Sequence, residues 1–170
     1  MTKRELYNAY ADLEGYNCFA CAPGNPYGLK CKFVDEGEYI TCRWQPTENY
    51  QGFFCILHGG IQATLIDEIA SWAVFAHQKT AGVTVNMNVK YLKAVRTDQG
   101  EIRLRAKVVR VVKNLVTAHV ELFNAQEELA AEGEVVYWVY PEDVARKKLD
   151  WPGIEAFYRE SRNEDRSDEV

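Results

Sequence analysis

Polar and apolar residues alternate along this chain with two different periods, and the change of period divides it into elements. Leu29, Cys31 and Phe33 alternate with Lys30 and Lys32, which is the two-residue period of a half-buried strand. Asp35-Glu36-Gly37 supplies a turn and 38–45 a second strand, so the two predict a hairpin, followed by a loop over 46–54. From Gly60 to about Gln78 the period lengthens to that of a helix. The two-residue period then returns in four segments, at about 83–95, 101–112, 116–124 and 129–140. Turns at Asp98-Gln99-Gly100, Lys113-Asn114 and Asn124-Ala125-Gln126 separate them.

The ends are less periodic. Residues 2–14 read as a short helix, with Thr2 and Glu5 as a capping box and Gly15 as its stop. Residues 16–28, rich in Cys, Pro, Gly and Asn, read as an ordered loop. After Pro141 a weak helical stretch contains Ile154, Phe157 and Tyr158, and the charged run from Arg159 to Val170 is expected to be disordered. With no internal repeat or second boundary, the expectation is one domain over 1–170 with a core of about 16–140. A hairpin, one long helix and four strands predict an α+β fold, an antiparallel sheet of about six strands wrapped around a central helix.

Such a helix should be apolar nearly all round. Ile61, Leu65, Ile69, Trp72 and Ala76 fall on one side; Ile66, Ala70 and Ala73 extend it, with Ala63 and Val74 further round. A narrow polar stripe of Thr64, Asp67, Glu68 and Ser71 remains. Asp67 is bordered by Ala63 and Val74, and a carboxylate beside apolar neighbours is costly unless it is paired or functional. Gly59 and Gly60 stand at the expected helix N-terminus, where free N–H groups and the positive end of the dipole bind an oxyanion. Asp67 follows Gly59 by eight residues, about 12 Å along a helix axis. One small reacting group cannot touch both within one chain, whereas a two-fold dimer can set one helix's N-terminus against its partner's carboxylate.

Composition narrows the chemistry. Hydrophobic residues make up 47% and charged residues 26% of the 170, with a net charge of -5 and a pI of about 5.3, so no electrostatic footprint for nucleic acid exists. An anionic substrate would need a local basic patch, for which Lys90, Lys93 and Arg96 are candidates. No signal peptide or membrane-length apolar run is visible, and a cytoplasmic protein is expected. The odd count of five cysteines argues against a disulfide framework. Cys18 and Cys21 form a Cys-x-x-Cys that Cys31 and Cys42 could complete as a four-thiolate set, but the second pair lacks that spacing and no metal is assigned. Cys55 has no activating partner in the sequence. Trp72, Phe75, Phe53 and Phe54 could line an acyl or aryl pocket or simply pack.

The run His58-Gly59-Gly60, with Asp67 nine positions after the histidine on the expected helix, resembles the PaaI-like branch of the hotdog-fold acyl-CoA thioesterases. Cys18-Phe19-Ala20-Cys21 with Asn25-Pro26-Tyr27-Gly28-Leu29 is similar to the loop that opens many members, and 83–92 to the strand after the helix; the resemblance covers roughly 16–140. It implies the hotdog fold, thioester hydrolysis without metal or cofactor, and a homodimer or homotetramer. It also implies that Asp67 is the general base or nucleophile, that Gly59 N–H polarises the carbonyl, and that His58 orients the site. Members often add a polar residue on the next strand, where Thr84, Asn86 and Asn88 share a face by alternation; Asn86 is the first choice and Thr84 the second. Gln51 is the nearest match to an Asn or Gln that many members carry before the histidine. Gly60, Gln51, Glu68, Ser71 and Lys90 are the expected substrate contacts. A hotdog hydratase or dehydratase of acyl thioesters, or a non-catalytic acyl-CoA-binding module, remains open at this point.

Overall fold

A computed structural model describes residues 3–159. Seven strands form one sheet: β1 (Arg4–Leu6), β2 (Phe33–Asp35), β3 (Ile40–Trp44), β4 (Gly82–Tyr91), β5 (Ile102–Val112), β6 (Leu115–Phe123) and β7 (Leu129–Val139). Their order is β1-β2-β3-β5-β6-β7-β4, and every pairing is antiparallel. The long helix α1 (Gly59–Gln78) crosses the concave face, and a short helix α2 (Glu142–Lys148) follows β7. The hairpin, the long helix and the four later strands thus stand where the periodicity predicts them, in the hotdog arrangement.

The helix lies close because small residues let it. Ala70 and Ala73 are fully buried, as are Ile66, Ile69 and Val74. On β7, Gly133 faces the helix, and a Cβ there would stand 2.8 Å from Ile66 Cγ2, closer than two carbons pack. A fully buried layer of Ile102, Leu104, Val120, Leu122 and Val135 from the sheet completes the core.

Three expectations change. Of the residues expected as a helix over 2–14, Thr2 lies outside the described residues, and the others hold β1 and a single 3-10 turn (Ala9–Asp12) in place of a helix. Tertiary contact overrides the helical propensity: β1 pairs with β2, while Tyr10 packs on Tyr16, Phe75, Trp151 and Phe157. This added strand makes the sheet seven-stranded rather than six. The segment expected as a strand from Leu29 enters the sheet only at Phe33, because Lys30 takes a left-handed conformation (φ 54°) and Leu29 and Cys31 donate to Phe19 O and Ala20 O of the preceding loop. The strand expected over 83–95 ends at Tyr91, where the Leu92 and Lys93 N–H groups both turn to Ala130 O.

The C-terminal segment is partly helical, as expected, in α2 and a 3-10 turn (Ile154–Tyr158). It buries Trp151 and Phe157 against Trp72 and Phe75. Those two α1 aromatics are therefore core packing, whereas Phe53 and Phe54 stand in the open at 84% and 87% exposure. The end of the charged run, from residue 160 on, lies outside the described residues.

β4 is the sheet's long edge, and it is exposed along most of its length, with Val83, Val85, Met87 and Tyr91 in the open. An apolar, unpaired edge strand is a template for pairing with another chain. Among the described residues no helix is long and apolar enough to cross a membrane.

Candidate active site

The N-terminus of α1 is held by its own cap. His58 leaves the helix (φ -59°, ψ 135°) and its Nδ1 accepts the Gly60 N–H at 2.9 Å. That bond uses Nδ1 as an acceptor. Ile61 and Gln62 N–H both donate to His58 O. Gly59 N–H has no partner among the described residues, so of the two glycines only Gly59 offers a free donor. Tyr91 on β4 fixes the glycine from the other side, its hydroxyl donating to Gly59 O at 2.8 Å. The preceding loop is built from within: Gln51 Oε1 accepts from Cys55 N–H at 2.9 Å, across a turn in which Cys55 has φ 58°. His58 N–H donates to Tyr50 O. Gln51 therefore shapes the loop under His58.

Asp67, just over two turns along α1, is gripped by two hydroxyls. Thr84 Oγ1 on β4 donates to Asp67 Oδ1 at 2.9 Å, and Tyr137 OH on β7 donates to the same oxygen at 2.8 Å. The tyrosine hydroxyl also lies 2.6 Å from Asp67 O. Thr84 and Tyr137 are directly opposite one another in the sheet, so one cross-strand pair holds the carboxylate. Burial, and then the Asp67 charge, push the Tyr137 hydroxyl well above the ordinary phenol range, which keeps it a proton donor. Asp67 Oδ2 has no hydrogen bond among the described residues.

A β-bulge decides which β4 residues meet this carboxylate. The register slips between Thr84 and Asn86, leaving Val85 as the extra residue. Thr84 pairs with Tyr137 on the helix side, but Asn86 pairs with Val136 and Asn88 with Glu134 on the outer side. Asn86, first choice by alternation, thus faces away from Asp67, and Thr84 touches it. Lys90 lies on the same outer face and pairs with Glu132 at 3.4 Å. The other two candidate cations are also matched, Lys93 by Glu128 at 2.7 Å and Arg96 by Asp98 at 2.6 Å. Exposed pairs of this kind hold their partners weakly, but they supply no free basic patch.

The remaining helix residues divide. Ser71 Oγ donates back to Glu68 O at 2.8 Å, a bond within the helix. Glu68 turns to the flank beside the loop of 16–28. Trp72 Nε1 donates to its Oε1 at 3.0 Å, and Cys18 Sγ lies 3.9 Å from its Oε2. Burial, followed by the neighbouring Cys18, pushes its carboxyl up to about 7. Cys31 and Cys42, the suggested partners of Cys18 and Cys21, instead lie beside each other in the core.

Sequence reasoning misses Tyr137. One tyrosine among the inward positions of a strand carries no chemical signal until its hydroxyl is seen on a carboxylate. Its available clue is polarity at an otherwise apolar inward position, after Val135 and Gly133.

Residues 54–131 match the family model described as Thioesterase superfamily. Acyl-coenzyme A thioesterase 13 of Mus musculus is 33% identical over 98 residues, which are 56% of this chain and 69% of that protein. Among solved structures, thioesterase superfamily member 2 of Mus musculus is similar at 30% identity and a TM-score of 0.58, covering 64% of this chain and 82% of that one. Zebra fish thioesterase superfamily member 2 is similar at 27% identity and a TM-score of 0.61, covering 76% of this chain and 91% of that one. With its hotdog sheet, its capped helix and these relatives, the chain belongs to the thioesterase superfamily.

Proposed function

We propose that this chain hydrolyses acyl-CoA thioesters at a site completed across a two-fold dimer, with Asp67 of one protomer opposite Gly59 of its partner. The observation that carries the reading is the division of labour along α1. One end offers an unpaired N–H on a capped helix terminus, and a carboxylate just over two turns away keeps one free oxygen at the margin of an unpaired edge strand. The separation of about 12 Å suits two half-sites of one dimer. Pairing of β4 with the β4 of a second copy would cover Val83, Val85 and Met87 and extend the sheet continuously. The Mus musculus relative, named an acyl-coenzyme A thioesterase, supports the substrate class.

In this reading the thioester carbonyl oxygen accepts from Gly59 N–H, reinforced by the helix dipole. Asp67 Oδ2 takes a proton from water as the water oxygen bonds to the carbonyl carbon. The tetrahedral oxyanion then collapses, the C–S bond breaks, and the proton passes from Asp67 to the leaving sulfur, yielding acid and thiol. Thr84 and Tyr137 hold Oδ1 so that Oδ2 faces the water. His58 secures the glycines rather than moving protons. A hydratase-type His–acid pair is not favoured, because His58 Nδ1 is committed to Gly60.

The test is a panel of acyl-CoAs with free thiol as readout, run on the wild type and on Asp67→Asn. Thiol release should fall about 10²- to 10⁴-fold in the variant. Tight acyl-CoA binding with no thiol release by the wild type would instead identify a binding module.

A further inference from the structure

Next to the carboxylate of the proposed reaction lies a second cluster that the reaction does not use. The Sγ atoms of Cys18 and Cys21 and a carboxylate oxygen of Glu68 all lie within 4.8 Å of one another. They come from distant parts of the chain: two thiols from a tight turn in the N-terminal loop, and an acid from the middle of the central helix. The turn closes with Ala22 N–H on Cys18 O at 3.2 Å, and the backbone N–H groups of Ala20 and Cys21 point at the Cys18 sulfur. On the other sulfur, Tyr16 OH stands 3.1 Å and Asn8 Nδ2 3.5 Å from Cys21 Sγ. Three N–H donors thus converge on the two sulfurs, and the Tyr16 hydroxyl stands beside them as donor or acceptor. Trp72 Nε1 occupies Glu68 Oε1 and leaves Oε2 toward the sulfurs.

We infer that Cys18, Cys21 and Glu68 bind a divalent zinc ion that fastens the N-terminal loop to the central helix. The chemistry fits the metal. Zinc takes thiolate sulfur at about 2.3 Å and carboxylate oxygen at about 2.0–2.2 Å in a tetrahedron, so its ligand atoms stand roughly 3.5 Å apart. Cys18 Sγ and Glu68 Oε2 are 3.9 Å apart and all three atoms lie within 4.8 Å of one another, so side-chain rotations must draw them in by up to about 1 Å to close the tetrahedron. Two thiolates and one carboxylate carry three negative charges, which a dication reduces to one, and the donors on both sulfurs spread the remainder. A water occupies the fourth position. The same ligands explain why a short Cys-x-x-Cys turn faces an acid on a helix that is otherwise apolar on its packed sides. The ion is separate from the proposed reaction: its ligand Glu68 is one residue from Asp67, yet it touches none of the groups that hold the Asp67 carboxylate.

The experiment needs no activity assay, so its outcome is independent of the thioesterase reading. Protein kept reduced, then loaded with zinc and freed of excess, is measured for metal content. One zinc per chain is expected, and Co2+ in its place should give a thiolate charge-transfer band. Cys18→Ser with Cys21→Ser should abolish both, and Glu68→Gln, which keeps an oxygen for Trp72, should weaken binding at least about tenfold. Cys55→Ser, outside the cluster, should bind as the wild type does. Chelation should lower the melting temperature of the wild type and leave that of the double variant unchanged. A reduced wild type that retains only traces of zinc and gives no cobalt band would overturn the assignment. So would metal content that survives the double cysteine substitution.

Discussion

Asp67 and Glu68 are neighbours on one helix, and the protein treats them in opposite ways. Asp67 sits at the margin of the open edge strand, where two hydroxyls from facing strands fix one oxygen and leave the other free. Glu68 sits under the N-terminal loop, among an indole and two thiols, and burial pushes its carboxyl up to about 7. The sheet supplies hard, neutral donors on one flank, and the loop supplies soft sulfur on the other. The chemistry of a carboxylate is therefore set by which element covers it rather than by the helix that carries it. A polar stripe that looks uniform on a helical wheel is two sites.

The comparison can be broken most severely at the proposed dimer. Gly59→Pro replaces the donor with ring carbons and leaves the helix start intact: the φ of a first helical residue suits proline, and His58 at ψ 135° is already in the region a following proline demands. Its turnover should fall about 10²- to 10³-fold. Mixed with Asp67→Asn chains and allowed to exchange, it should recover activity, because each hybrid dimer contains one intact pair of Gly59 and Asp67. Thiol release from the mixture that does not rise above that of either variant alone would refute the shared site.

A smaller effect isolates the grip on Asp67. Tyr137→Phe removes a hydroxyl that serves both the carboxylate and the helix backbone. It should cost about 1–2 kcal/mol in denaturant melts and lower kcat more than it raises KM. Thr84→Val should move kcat in the same direction by less.

The other flank answers to pH. In chelator-treated protein the Glu68 carboxyl lies above its ordinary 4.5, at about 7. The neutral form is the one the fold accepts, so its contribution is full below about pH 4.5 and is lost as pH rises through about 7. Melts from pH 5 to 8 should show a decline of roughly 2 kcal/mol from this group, and Glu68→Gln should remove it. An unchanged slope in the variant would place the titration elsewhere. The smallest effect is expected at Lys90, on the outer face with Glu132. Lys90→Ala should change stability by about 0.5 kcal/mol or less and leave KM unaltered, whereas a raised KM would restore it as a substrate contact.

Much of this architecture is legible in the sequence, because burial writes its period directly. The central helix, the four strands after it and the spacing of His58, Gly59 and Asp67 follow from periodicity and rise per residue. What is not legible depends on contacts between segments. Residues 2–14 carry helical signals, yet β1 forms because β2 offers a partner and aromatic residues from the C-terminal segment offer cover. Glu68 reads as a wet helix edge until a loop about fifty residues upstream is laid over it. That Thr84 and not Asn86 faces Asp67 is hidden for a more local reason. Polar and apolar residues alternate without a break from Val83 to Lys90, while the strand's faces exchange at Val85. Nothing in an unbroken alternation marks the position of an extra residue.

That bulge also divides β4 into two functional modules. Before it, the polar Thr84 turns inward to Asp67 and Val83 lies outward beside Trp138. After it, Met87 and Val89 turn inward, opposite Val135 and Gly133, while Asn86, Asn88 and Lys90 look outward. A protein engineer can therefore treat one strand as two independent dials: randomising 86, 88 and 90 resurfaces the molecule, and randomising 84 retunes the carboxylate, with little interference between the two searches.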